Sequence, residues 1–93
     1  MTAYCINTGD FVISLAGRDR GHIMVVMEVT DELYITAADG KLRSVKKPKK
    51  KKIRHIKKLN VPPYSGELTN RFVARAIREA KSLCHEIRRD YSA

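Results

Sequence analysis

In the stretch SVKKPKKKKIRHIKKLN, residues 44–60, nine cationic side chains stand without a single acid: Lys46, Lys47, Lys49, Lys50, Lys51, Lys52, Arg54, Lys57 and Lys58. The chemistry open to them is electrostatic. A row of ammonium groups displaces counterions from a polyanion, and neutralising six to ten phosphates makes affinity fall roughly 10³–10⁵-fold between 50 and 200 mM salt. A charge run can equally be a solvated face or a localisation signal. Three features favour RNA. The run sits at an expected sheet edge, where its geometry is fixed. Lys41 and Arg43, on the strand expected beside it, extend the same patch. Arg18 and Arg20 lie in a GRDRG loop whose Gly17 and Gly21 let a backbone approach closely, although turn conformation alone also accounts for both glycines. Side chains able to stack on a base or hydrogen-bond to it are few: Tyr34, His55 and Tyr64, with a core or rim role weighing more for Tyr34. The expectation is recognition of RNA shape and backbone rather than sequence.

Other chemistries find little support. His22, His55 and His85 fall in three different elements, and Ser14 and Ser44 lack the context of a nucleophile elbow. No Gly-Lys-Ser/Thr follows Gly17 or Gly21, so there is no phosphate-binding loop of the P-loop kind. Cys5 and Cys84 are far apart, each beside an apolar neighbour, with no C-x-x-C. They read as small buried fillers in a reducing compartment rather than a metal site or disulfide. Neither catalysis nor a metal or cofactor is expected.

Charge is unevenly spread over the 93 residues. Residues 1–45 carry four basic side chains against six acids, and residues 61–93 six against four, so the net +9 belongs to the middle band. A weakly acidic body with one basic band is a directed field. Nucleic acid is its first candidate partner and an anionic membrane the second. No apolar run approaches the roughly 20 residues of a membrane span, and the N-terminus lacks the pattern of a signal peptide. A cytoplasmic protein without a membrane partner is expected.

The elements that must hold these residues follow from periodicity. Asp10–Leu15 and Leu33–Ala38 read as strands, and His22–Val29, nearly all apolar, as a strand buried on both faces. Asp39–Gly40 is the strongest hairpin signal in the chain. It predicts a two-residue turn and a fourth strand over Lys41–Val45, with Leu42 inward and Lys41 and Arg43 outward. Pro48 cannot donate to a ladder, so Lys46–Lys51 is expected as a loop or sheet edge. Ile53 and Ile56 then predict a fifth strand over Lys52–Lys57. Five short strands with tight turns suggest a small closed barrel over residues 1–60. Residues 61–66 read as a Pro/Gly linker. Leu68–Tyr91 reads as an amphipathic helix, within a helical segment 67–91, capped by Ser65 or Thr69. Its apolar side includes Phe72, Val73, Ile77, Ala80, Leu83, Cys84, Ile87 and Tyr91; Arg71, Arg75, Arg78, His85 and Arg89 line the opposite side. That helix is expected to pack on the barrel, with a docking or dimerising role as the alternative.

The segment GDFVISLAGRDRGHIMVV resembles the KOW motif of ribosomal proteins and transcription elongation factors: Gly9-Asp10, alternating apolar residues, then Gly17 and basic residues before Gly21. The continuation ITAADGKLRSVKKPKKKKIRHIKKL is similar to bacterial KOW-domain RNA-binding proteins related to e-type KOW large-subunit ribosomal proteins. In them a DG-x-x-R hairpin precedes a KPK stretch, matched by Asp39, Gly40, Arg43, Lys47, Pro48 and Lys49. The resemblance covers residues 8–59. It implies an SH3-like barrel, mainly β, and binding to the large ribosomal subunit or structured RNA, with ribosomal proteins as neighbours. Residue matching implies Arg18, Arg20, Gly21 and the basic residues and His55 of 46–58 as the RNA surface. The rival from another class is a protein–protein adaptor of the translation or transcription machinery that uses the helix.

Overall fold

A computed structural model describes residues 6–83. Five strands form one antiparallel sheet: β1 (Phe11–Ser14), β2 (Ile23–Val29), β3 (Tyr34–Ala38), β4 (Lys49–Lys52) and β5 (Ile56–Lys58), in the order β4-β3-β2-β1-β5. A single 3-10 turn (Ile53–His55) separates β4 from β5, and helix α1 (Asn70–Leu83) follows. The mainly β architecture with one C-terminal helix matches the sequence expectation.

Both faces of the sheet are buried at its centre, because every residue of β1 and the first four of β2 are. Alternation divides them. Phe11, Ile13, Ile23 and Val25 face α1 and form a core with Leu59, Val73, Ile77 and Ala80. Val12, Met24 and Val26 face the other way, against Ile35, Ala37, Ile53 and Ile56, as the sheet curls. A register shift between Val26 and Glu28 places a bulge at Met27, a device that sharpens local twist.

The middle of the chain departs from expectation. Asp39–Gly40 does not make a two-residue hairpin, and Lys41–Val45 is not a strand. Of these two residues only Gly40 has a positive φ, +79°. The Asp39 carboxylate Oδ1 instead accepts the N–H groups of Lys41 and Arg43 (2.8 Å each), which closes a wider loop. Leu42 points outward, 72% exposed. The fourth strand begins directly after Pro48, where ladder donors return. Of the segment expected as a loop or sheet edge, residues 46–48 are loop and Lys49–Lys52 form the edge strand, paired with β3 from Ala37↔Lys49 to Tyr34↔Lys52. The expected fifth strand over Lys52–Lys57 is broken by the 3-10 turn and resumes at Ile56, paired with β1. The sheet is also not closed into a barrel: among the described residues no ladder joins β4 to β5.

The segment before the helix is not a free spacer. Leu59 is buried, Val61 and Tyr64 pack against the helix-side core, and Tyr64 N–H donates to Gly9 O at 2.8 Å. Thr69, not Ser65, caps α1, its Oγ1 accepting Phe72 N–H at 3.3 Å. Val73, Ile77 and Ala80 are the buried stripe of α1, so the helix packs on the sheet. Phe72 and Leu83 lie on the flank of that stripe and stay exposed. Cys5, Cys84, His85, Ile87, Arg89 and Tyr91 lie outside the described residues.

Candidate nucleic-acid interface

Antiparallel pairing brings the end of β1, the start of β2, the end of β3 and the start of β4 to one end of the sheet. The GRDRG loop and the 39–48 loop therefore emerge together, next to Lys49. Arg18 and Arg20 are exposed on the first loop, and between them Asp19 turns inward and is buried. Gly21, at φ +85°, holds the loop's exit, with its N–H donating to Ser14 O at 2.8 Å. A Cβ added to Gly21 would meet nothing within 4 Å, so conformation alone accounts for that glycine. Lys41, Lys46 and Lys47 are exposed on the second loop and Arg43 is half-buried. Arg18 and Arg43 line one cleft.

The four lysines of β4 divide by face. Lys50 and Lys52 pair opposite Thr36 and Tyr34 and point outward. The Lys50 ammonium lies 4.4 Å from the centroid of the half-buried Tyr34 ring, a cation–π geometry. Tyr34 thus supports a lysine rather than standing clear. Lys49 and Lys51 point to the inside of the curl. Lys51 is only 7% exposed. Its three donors are all used: Asp19 Oδ1 at 2.9 Å, Ser14 Oγ at 2.9 Å and Ala16 O at 3.1 Å. The Ser14 hydroxyl lies in reach of both Asp19 Oδ1 (3.0 Å) and Ala16 O (2.9 Å). Lys51 is therefore not available to a polyanion. It ties the edge strand β4 to the end of β1 across the gap that no ladder spans.

Asp19 is the centre of this latch. Burial raises its carboxyl pKa, but hydrogen bonds from Lys51 and Ser14 and the charges of Lys51 and Lys49 outweigh that, holding it below the usual carboxylate value. Its second oxygen, Oδ2, is buried with no hydrogen-bond partner, and the Lys49 ammonium stands 3.6 Å away. Nothing in the sequence marks this cluster: Ser14 is five residues from Asp19, and Lys51 thirty-two. An acid inside GRDRG reads as one more loop charge.

The remaining expected residues spread wider. Arg54 is exposed and His55 half-buried in the 3-10 turn, where His55 O accepts Leu15 N–H at 2.8 Å. Lys57 and Lys58 are exposed on β5, the opposite edge from β4, and the Lys58 ammonium lies 3.5 Å from Asp10 Oδ2. Tyr64 packs against the helix-side core, and its hydroxyl donates to Glu67 O; it is not beside the basic face. The 46–58 run is thus three surfaces: a loop, an outer strand face with Tyr34, and a second edge.

No protein-family model matches the chain, and no curated protein sequence matches it. Among the described residues, no helix is long and apolar enough to cross a membrane, and no group of His, Cys, Asp or Glu is placed to hold a metal ion.

Proposed function

We propose that this protein binds RNA without catalysing a reaction, and that its target is structured ribosomal RNA met through phosphate contacts. The observation that carries the reading is the outer face of β4. Lys50 and Lys52 are exposed there at fixed strand spacing, with Lys50 steadied by Tyr34, beside the loops bearing Arg18, Arg20, Lys46 and Lys47. A solvated tail needs neither a ladder nor a latch. We also read the sheet as an SH3-like barrel of KOW type, open at one seam. The strand order, the single 3-10 turn before the last strand and the Lys51 bridge across the seam support that reading. The adaptor alternative needs a free helix face, and Val73, Ile77 and Ala80 are already used on the sheet.

The test is RNA binding by Lys50→Ala/Lys52→Ala across a salt series, with a large-subunit ribosomal RNA fragment. Removing two phosphate contacts is expected to reduce the slope of log K against log salt by about 2. An unchanged slope removes that face from the interface. Lys51→Ala is unsuited to this purpose, because it breaks the latch.

A further inference from the structure

Beside the basic strand face lies a groove that the RNA-binding reading does not yet use. Two clefts of about 360 and 240 Å³ share His22, Asp39 and Leu42. One continues to Lys41, Arg78 and Lys81, the other to Arg18 and Arg43. At 100° per residue Arg78 and Lys81 fall on the flank of α1 next to Ala74, the side that meets the 39–43 loop. Neither they nor Arg18, Lys41 and Arg43 make a side-chain hydrogen bond or ion pair among the described residues. Of the carboxylate Asp39, Oδ1 is already engaged by two backbone N–H groups. Among the described lining residues five cations thus stand against the carboxylates of Asp39 and the buried Asp19, and the rim is net cationic.

The floor is different in kind. Ile23, Ala74 and Ile77 line it, and Leu42 stands as a wall, 72% exposed. A duplex backbone has no use for an apolar wall between cations; an unpaired nucleotide presents a phosphate and an apolar base face together. The larger volume is that of a small-ligand cleft rather than of a surface that cradles a double helix. We infer that this groove takes an unpaired segment of the same RNA, its phosphates against Lys41, Arg78 and Lys81 and a base against Leu42. The inference rests on the RNA-binding reading and adds that the preferred target carries unpaired nucleotides beside a stem.

The experiment compares two RNA hairpins of equal phosphate number, one with a fully paired stem and one with a bulge of unpaired nucleotides, by fluorescence anisotropy. The wild type is expected to favour the bulged RNA by roughly tenfold. Lys41→Gln/Arg78→Gln/Lys81→Gln abolishes that preference by weakening the bulged RNA about tenfold more than the paired RNA, and flattens the salt slope for the bulged RNA by about 2. Leu42→Ala, which removes no charge, also lowers the preference. All four residues are exposed, and unchanged thermal melts verify folding. Equal affinity of the wild type for both RNAs overturns the groove assignment while RNA binding stands. Equal weakening of both RNAs by the triple variant overturns it too, since the groove then only adds to the general field. Failure of the wild type to bind either RNA sinks the underlying reading, and the groove with it.

Discussion

Lys50 and Lys51 are neighbours of identical type, and the pleat gives them opposite work. Lys50 faces solvent over Tyr34, whereas Lys51 is buried with all three donors engaged. Removing one member of a buried pair leaves the other charge uncompensated, which typically costs about 3–5 kcal/mol. Lys51→Met is therefore expected to lower unfolding free energy by about 3 kcal/mol in urea melts, whereas Lys50→Ala, which loses a cation–π contact and relieves repulsion, changes it by under about 1 kcal/mol in either direction. Equal losses would remove the distinction. Asp19 adds a pH signature. Its folded pKa is depressed, so its contribution is complete above the unfolded value near 3.9 and is lost as pH falls through the lowered folded value. The stability gap between wild type and Asp19→Asn is expected to narrow as melts are taken from pH 5 downward. A gap that is constant with pH would show that the carboxylate's charge contributes nothing.

At the scale of elements, the 39–48 loop joins the sheet to the helix. Gly40 is held at φ +79°, and a Cβ there would collide with the carbonyl oxygen of Asn70 in the first turn of α1. Asn70 answers from its side chain: its Oδ1 accepts Val45 N–H at 2.8 Å. Gly40→Ala is expected to cost about 1–3 kcal/mol from backbone conformation alone, with the clash added. It should also speed amide exchange at Val45 before the β1–β2 core opens; a variant as stable as wild type would exclude the contact. The hairpin expected at Asp39–Gly40 fails for this reason. Asp-Gly is a strong local signal, but the glycine answers a helix thirty residues away, which no local pattern encodes. Strands β1, β2 and β3 were legible because apolar runs bounded by Gly and Asp carry their own period. The stripe of α1 was legible through Val73, Ile77 and Ala80. Strand β4 was half legible: Pro48 allowed a sheet edge, but four lysines have poor strand propensity, and only the ladder to β3 and the reach of Lys51 to Asp19 decide between edge and loop. The basic face was legible as composition; its division into a latch, an open face and a second edge required three dimensions.

For the molecule as a whole, the basic band is a field carried by a body that is elsewhere near neutral, with residues 1–45 slightly acidic. Such a field speeds encounter with a polyanion and opposes its own compact state through self-repulsion. Four consecutive lysines on an edge strand concentrate that repulsion, and the nearest buried acid, Asp19, answers only the two that face inward. The two outward lysines also protect the edge, since charged side chains discourage strand addition by another chain. Stability and function therefore pull apart at Lys50 and Lys52. In the free protein, raising salt from about 20 to 300 mM shortens the Debye length from roughly 20 Å to under 6 Å and screens the repulsion, while the buried Lys51–Asp19 pair is little affected. The melting temperature is expected to rise by about 4 °C, the shift that ~1 kcal/mol gives a domain of this size. In Lys50→Gln/Lys52→Gln the low-salt melting temperature should already be higher and the salt response flatter, while RNA affinity falls. A melting temperature that drops with salt in the wild type would mean that attraction, not repulsion, governs the band, and that the lysines are paired within the fold rather than held ready for a polyanion.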